Sequence, residues 1–474
     1  MSESEHIAAA HRVDSGGSDN SVMDAETRLR PEFVDRVLDA VEAGDDETAR
    51  KLVEPLHPAD VADLIELARR DEREGLVKAL AGIVDADVLA EMNDWVREDL
   101  LDEMEPQQVA DIASQLETDD AVALIEDLDR DEQQAVLQRM EPDDRAAVEE
   151  ALSYPEESAG RLMQRDLIAV PEHWTVGEVI DYLRKTQDLA DDFWEVFVVS
   201  PDHHPVGTCK LSSILRSPRS LKVADIMLRE QSLIPVDMDQ EDVALRFQKY
   251  ALVSAAVIDT SGRLVGMITV DDIVHIIQEE AGEDVLLLSG VSDEGDINEP
   301  VIDSYKARVR WLGANLLTAL VGASIIRAFE GSIERLAVLA VLMPIVAGVG
   351  GNAGTQTLAV TVRALATNQL TGSNRWRAVG REIRVALLNG ATIACLIGIG
   401  VGIVLGSPAL GAVIAAAMLT NIIVAGIAGS LVPVVLDRAG ADPAVASSIF
   451  VTMVTDSMGF FSVLALATWS GLVP

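Results

Sequence analysis

Apolar residues recur at helical spacing from residue 26 to residue 150, with almost none of the alternation a strand requires. Within that stretch HPADVADLI at His57–Ile65 is echoed by EPQQVADIA at Glu105–Ala113 and, more loosely, by EPDDRAAVE at Glu141–Glu149. Each has a proline near the start of its helix, where the missing N–H costs nothing. Short helical hairpins stacked as repeats fit this pattern. From 158 to 280 the pattern becomes helix, strand, turn, strand, helix, written twice. LMQRDLIAVPEHWTVGEVIDYLRK from Leu162 matches IMLREQSLIPVDMDQEDVALRFQK from Ile226, pairing Met163 with Met227 and Pro171 with Pro235. The strand pairs VFVVSPDHHPVGTCKLSSIL from Val196 and AAVIDTSGRLVGMITVDDIV from Ala255 follow, with Gly207 matching Gly266. A connecting helix is predicted over 283–306. Five apolar stretches then complete the chain, near Val309–Ile326, Leu336–Leu365, Val385–Leu405, Ala412–Leu436 and Ala444–Trp469. Each approaches or exceeds the roughly 20 residues that cross a bilayer.

Basic residues orient these spans. Lys306, Arg308 and Arg310 stand at the start of the first, and Arg363, Arg375, Arg377, Arg381 and Arg384 run from the end of the second to the start of the third, whereas the GSPALG loop after the third has none. By the positive-inside rule the N-terminal domains are cytoplasmic and the C-terminus lies outside. The second span carries PIVAGVGGNAGTQ, Pro344 to Gln356, at membrane depth. Proline removes a helix hydrogen bond and glycine loosens the backbone, which points to a broken helix lining a wet cavity. Close packing through small residues is the alternative. The amides of Asn352 and Gln356 favour the pore reading, with Gly348, Gly351 and Gly354 beside them.

Charge divides the chain in two. Of 474 residues, 49% are apolar, yet the net charge is −41. From Lys306 onward there are 11 Lys/Arg and 6 Asp/Glu, leaving 26 Lys/Arg and 72 Asp/Glu before it. An acidic soluble part therefore precedes a weakly basic apolar part. With 7 Lys and 30 Arg against acids spread over all surfaces, the excess suits solubility in concentrated salt. Clustered carboxylates also suit hard divalent cations, and like charge makes nucleic acid an unfavourable partner. Cys209 and Cys395 are far apart and form no metal or redox spacing. The polar start, residues 1–25, has no apolar run and reads as a disordered tail rather than a signal peptide. Neither a nucleophile–base arrangement nor a phosphate loop is present, so an enzyme is not expected.

Asp456 stands inside VTMVTDSMGFFSVLALA, about 12 residues into the last span. A carboxylate there is costly unless paired or hydrated, and the apolar part of no span carries a Lys or Arg. A cation site on a wet pore and a proton-relay carboxylate both remain open. Ser448 and Thr452, eight and four residues earlier, share its helical face, and Asp442 lies near the same stripe at the inner mouth. The absence of gathered His, Cys or Met argues for a hard ion.

The duplicated strand-rich segment looks like a tandem pair of CBS domains, which often hold an adenosine nucleotide. Thr269 and Asp272 fall where that family's Gly-x-x-Thr-x-x-Asp pattern meets phosphate and ribose; the first copy has Lys210 and Ser213 there. Nearly the whole chain resembles the MgtE family of magnesium channels, on HPADVADL, PIVAGVGGNAGTQ, DPAVASS and TDSMG. The resemblance implies a homodimer in the cell membrane: an all-α helical-repeat domain over 26–150, an α/β tandem CBS pair over 151–282, the connecting helix, and a five-helix transmembrane domain over 307–474. It implies that Asp456 selects the ion and Asp442 lies at the pore's inner end. It further implies that cytosolic Mg2+ closes the pore by bridging acids, with Asp271, Glu279, Glu280, Glu283, Asp284 and Asp303 as candidates beside unassigned acids of the helical domain. Mg2+ and ATP at the CBS pair are the implied ligands, with lipid and a second copy of the chain as partners. A secondary carrier coupled to Na+ or H+, and a membrane-anchored nucleotide sensor, are the competing readings.

Overall fold

The computed structural model describes residues 22–186, 189, 193–229, 232–291, 295, 297–440 and 442–473, and the counts below refer to these. The tail expected over 1–25 lies outside the described residues as far as 21. Two compact units form, one ending at Val274 and the other beginning at His275.

Ten short helices open the first unit: α1 (Pro31–Glu42), α2 (Asp46–Val53), α3 (Pro58–Leu67), α4 (Arg70–Ala79), α5 (Ala86–Ala90), α6 (Asp94–Leu101), α7 (Pro106–Ala113), α8 (Thr118–Glu126), α9 (Arg130–Leu137) and α10 (Pro142–Ala151). The prolines of the echoed segments stand at the first helical positions of α3, α7 and α10, as their sequence spacing predicted. One apolar core, including Phe33, Leu64, Leu89 and Leu124, runs through these helices. A second echo is visible only in three dimensions. The fourth residue of α4, α6 and α9 is a long polar donor reaching back to the carbonyl five residues earlier: Arg73 to Ala68, Arg97 to Met92 and Gln133 to Leu128. Each satisfies a carbonyl near the end of the preceding helix that the helix itself leaves unpaired.

Two three-stranded sheets follow, β1 (Ala169–Pro171), β2 (Glu195–Val199) and β3 (Pro205–Lys210), then β4 (Leu233–Pro235), β5 (Ser254–Ile258) and β6 (Leu264–Thr269). In both, the first strand pairs parallel with the second and the second antiparallel with the third. Helices α11 (Val176–Lys185), α12 (Leu211–Arg216), α13 (Val223–Ile226) and α14 (Gln240–Tyr250) flank them. The matched methionines are exchanged. Met163 of the first copy seats on Gly266 of the second, and Met227 of the second on Gly207 of the first; a Cβ at either glycine would lie 2.7–2.8 Å from the facing sulfur. Only glycine admits this reciprocal contact, which binds the two copies into one body.

Helix α15 (Val270–Leu288) ends the first unit and enters the second. After it come α16 (Val301–Ala328), the short α17 (Glu330–Arg335), α18 (Val338–Ala366), α19 (Arg375–Val404), α20 (Pro408–Ala439) and α21 (Pro443–Trp469). The single connecting helix expected over 283–306 is not formed. Helix α15 stops at Leu288, Gly290 takes a left-handed φ of +75°, and α16 restarts only after Pro300. Glycine in that conformation ends a helix, and proline favours a new start. The five long helices α16 and α18–α21 are long and apolar enough to cross a membrane. Leu339, Val346, Ile414, Met418 and Val463 form their main buried cluster.

Candidate functional site

Helix α18 sets one wall. It runs unbroken from Val338 to Ala366 through Pro344, so the broken backbone expected here is not observed. The small residues serve packing instead. Gly350 leaves room for the Asn421 amide, and Gly354 is buried where a Cβ would stand 2.7 Å from Val451. Gly354 therefore belongs to the helix contact and not to an open face, correcting its sequence assignment. Gly348, Asn352 and Gln356, four residues apart, lie on the exposed face of the same helix, with Gly351 half-buried beside them. Neither Asn352 nor Gln356 makes a hydrogen bond among the described residues. Amides left bare on an apolar helix call for water or a polar ligand.

Helix α21 sets the other wall. Asp442 is its N-cap, one carboxylate oxygen accepting from the Ala444 N–H at 2.7 Å. Ser448, Thr452 and Asp456 follow at four-residue intervals in continuous helix, so they share a face. Asp456 is half-buried and makes no hydrogen bond or ion pair among the described residues. It stands one residue beyond Thr455, whose hydroxyl lies 3.9 Å from the place of a Cβ on Gly351. Asp456 and the Gly351–Asn352 turn of α18 therefore occupy the same height in the helix packing.

Several polar groups of this unit escaped the sequence reading. A cavity of about 260 Å³ opens where α18 and α19 flank α20, lined by Gln356, Thr357, Arg381, Glu382 and Asn389. Glu382 is buried and paired with Arg381. It is the sole acid between Glu334 and Asp437, a signal that could have marked it. Asn421 is fully buried, its amide nitrogen donating to the Val346 carbonyl at 2.9 Å. Near the start of α21, Leu287 of α15 packs with Leu358, Val362, Ala428, Ala444 and Val451. Asp284, three residues earlier, has its carboxyl raised above the usual range, first by burial and then by repulsion from Asp442. Asp303 pairs with Lys306 one turn along α16.

The acidic candidates of the first unit gather elsewhere. Asp119 and Asp120 occupy the first turn of α8, where a helix N-terminus favours negative charge. They face Asp271 and Asp272 in the first turn of α15. Burial pushes Glu117 up to about 7, reinforced by Asp272, Asp120 and Asp271. Asp119 is raised in the same direction, first by burial and then by Asp272. Asp272, also raised by burial, sits at about 6 although Thr269 donates to it from its hydroxyl at 2.6 Å. One Asp119 oxygen is buried without a partner. Among the described residues no group of three or more His, Cys, Asp or Glu side chains is arranged to hold a metal ion. The carboxylates are neighbours that repel one another.

Comparison with known proteins decides the family. The chain matches the model of the MgtE intracellular N domain over 56–157, CBS domains over 159–219 and 223–279, and the MgtE divalent cation transporter model over 343–466. It is 36% identical over 308 residues to the magnesium transporter MgtE of Enterococcus faecalis, covering 65% of this chain and 68% of that one. The chain belongs to the MgtE family. The MgtE of Thermus thermophilus is 35% identical over 324 residues, covering 67% of this chain and 71% of that one. A crystal structure described as the cytosolic domain of the Mg2+ channel MgtE in complex with ATP is 28% identical, with a TM-score of 0.48 over 51% of this chain and 99% of that one. In MgtE terms, the N-domain match spans α3–α10, the CBS matches take in both sheets, and the transporter match runs from within α18 into α21.

Proposed function

We propose that this chain carries Mg2+ across a membrane as a homodimeric channel, with Asp456 as the carboxylate that selects the ion. The observation that carries the reading is Asp456 itself: an unpaired acid in a long apolar helix, on one face with Thr452 and Ser448 and level with the bare amide face of α18. A hydrated divalent cation supplies what that carboxylate lacks. Mg2+ gives up its waters reluctantly, so hydroxyl, amide and carboxylate oxygens holding an ion with its hydration shell suit it. Two copies would set two Asp456 carboxylates about one axis. The basic residues at the start of α16 and α19 support an orientation with the acidic unit in the cytoplasm and the C-terminus outside.

Gating belongs to the same reading. Without a cation, Glu117, Asp119 and Asp120 repel Asp271 and Asp272, and Asp284 repels Asp442. Cytosolic Mg2+ offsets both repulsions. It therefore shifts the population toward the arrangement in which these groups lie close, which is the closed state. Glu279, Glu280 and Glu283 supply further acid on the helix that carries Asp284, and Asp303 adds another at the start of α16. ATP at the CBS pair would meet Thr269 and Asp272. The carboxylates around them require its phosphates to arrive with their charge offset by Mg2+.

The test is Mg2+ flux into liposomes holding the purified chain. Asp456→Ala and Asp456→Asn are expected to lower flux at least tenfold, a change of about 1.4 kcal/mol or more in barrier. Equal flux in wild type and both variants would remove Asp456 from the path. Saturable uptake that requires a Na+ or H+ gradient would replace the channel with a coupled carrier.

A further inference from the structure

Asn421 is a fully buried polar residue of the membrane unit that the proposed ion path does not use. Its side chain is fully buried in the middle of α20, within LTNIIVAG. The amide nitrogen donates to the backbone carbonyl of Val346 on α18 at 2.9 Å, while the amide oxygen is buried with no partner. An amide at this depth, half of it unsatisfied, carries a clear energetic cost relative to an apolar side chain.

Its surroundings show what it does. Both neighbouring helices are cut back to glycine around it: a Cβ on Gly350 of α18 would collide with the amide, and one on Gly459 of α21 would lie 3.0 Å from the amide nitrogen. Gly459 stands three residues after Asp456, within one turn of α21. Gly350 stands two residues before Asn352, within one turn of α18. A Cβ on Gly459 would also meet the Ala347 backbone at 2.8 Å, so the two helices approach closely here. The amide thus fills the junction of the two walls and ties one of them by its main chain.

We propose that Asn421 is a positioning residue for ion selection: it fixes the height and separation of the Asp456 and Asn352 turns without touching the ion. The inference rests on the transport reading above. A carboxylate held at a set distance from the facing wall accepts a hydrated ion of one size; a wall free to shift accepts others.

The experiment compares Mg2+ and Ca2+ flux in liposomes for wild type, Asn421→Leu and Asn421→Ser, each normalised to monodisperse protein. Leucine keeps the volume and loses the donor; serine keeps a hydroxyl donor in less volume and guards against a leucine variant that fails to fold. The Mg2+/Ca2+ ratio is expected to fall at least threefold in Asn421→Leu and less in Asn421→Ser. A merely structural role would lower both fluxes by one factor. A ratio equal to wild type in a folded variant overturns the proposal. Absence of flux for either ion in wild type overturns instead the transport reading.

Discussion

At the scale of single residues, glycines carry two opposite meanings in this chain. A Cβ on Gly429 would meet the Gly354 carbonyl at 2.6 Å and the Leu358 nitrogen at 3.1 Å, both backbone atoms that cannot move aside. Gly429→Ala is therefore expected to cost about 2 kcal/mol through overpacking, read as a lower melting temperature in detergent. Gly348→Ala, with nothing within 4 Å, should leave that temperature unchanged. The sequence marked Gly348 and Gly354 alike as pore residues, because composition does not reveal which side of a helix faces a neighbour. Asp456, Asn352 and Gln356 stand out in the sequence for a different reason, since a polar side chain in an apolar run is conspicuous whatever the packing. Asn421 and Glu382 would have met the same criterion.

At the scale of elements, periodicity located the helices and strands, and missed what holds them together. The reach of Arg73, Arg97 and Gln133 back by five residues is invisible in a repeat whose spacing is irregular. Arg97 has a further role, since it pairs with Asp127 at 2.7 Å and both are largely buried. Asp127 is still raised to about 6, burial outweighing the guanidinium. Arg97→Met would leave that carboxylate buried and unpaired, at a cost of about 3 kcal/mol, seen as a lower unfolding temperature of the full chain. Arg97→Gln should recover part of it, because Gln133 makes the same backward contact with an amide. The straightness of α18 is the converse case. Pro344 and four glycines foretold a break, and packing against α20 and α21 overrode them.

At the scale of the molecule, the raised carboxyls couple proton and cation. Glu117 and Asp272 have folded-state values of about 7 and about 6, above their ordinary 4.5 and 3.8. Between those limits the compact arrangement binds more protons than the separated one, so its stability falls as pH rises from about 4 toward 7. Mg2+ is then expected to protect the first unit from proteolysis strongly at pH 8 and weakly at pH 5. Equal protection at both would separate these acids from cation sensing. The start of α21 bears on conduction in another way. A helix N-terminus presents the equivalent of about half a positive charge, and on the proposed ion path this one opens where cations pass. Asp442 cancels that charge with the same carboxylate that caps the helix. Asparagine would keep the cap and drop the charge. An Asp442→Asn channel would thus present an electropositive collar to its own cargo: intact in fold, slow at low ionic strength, and restored toward wild-type throughput as added salt screens the helix end.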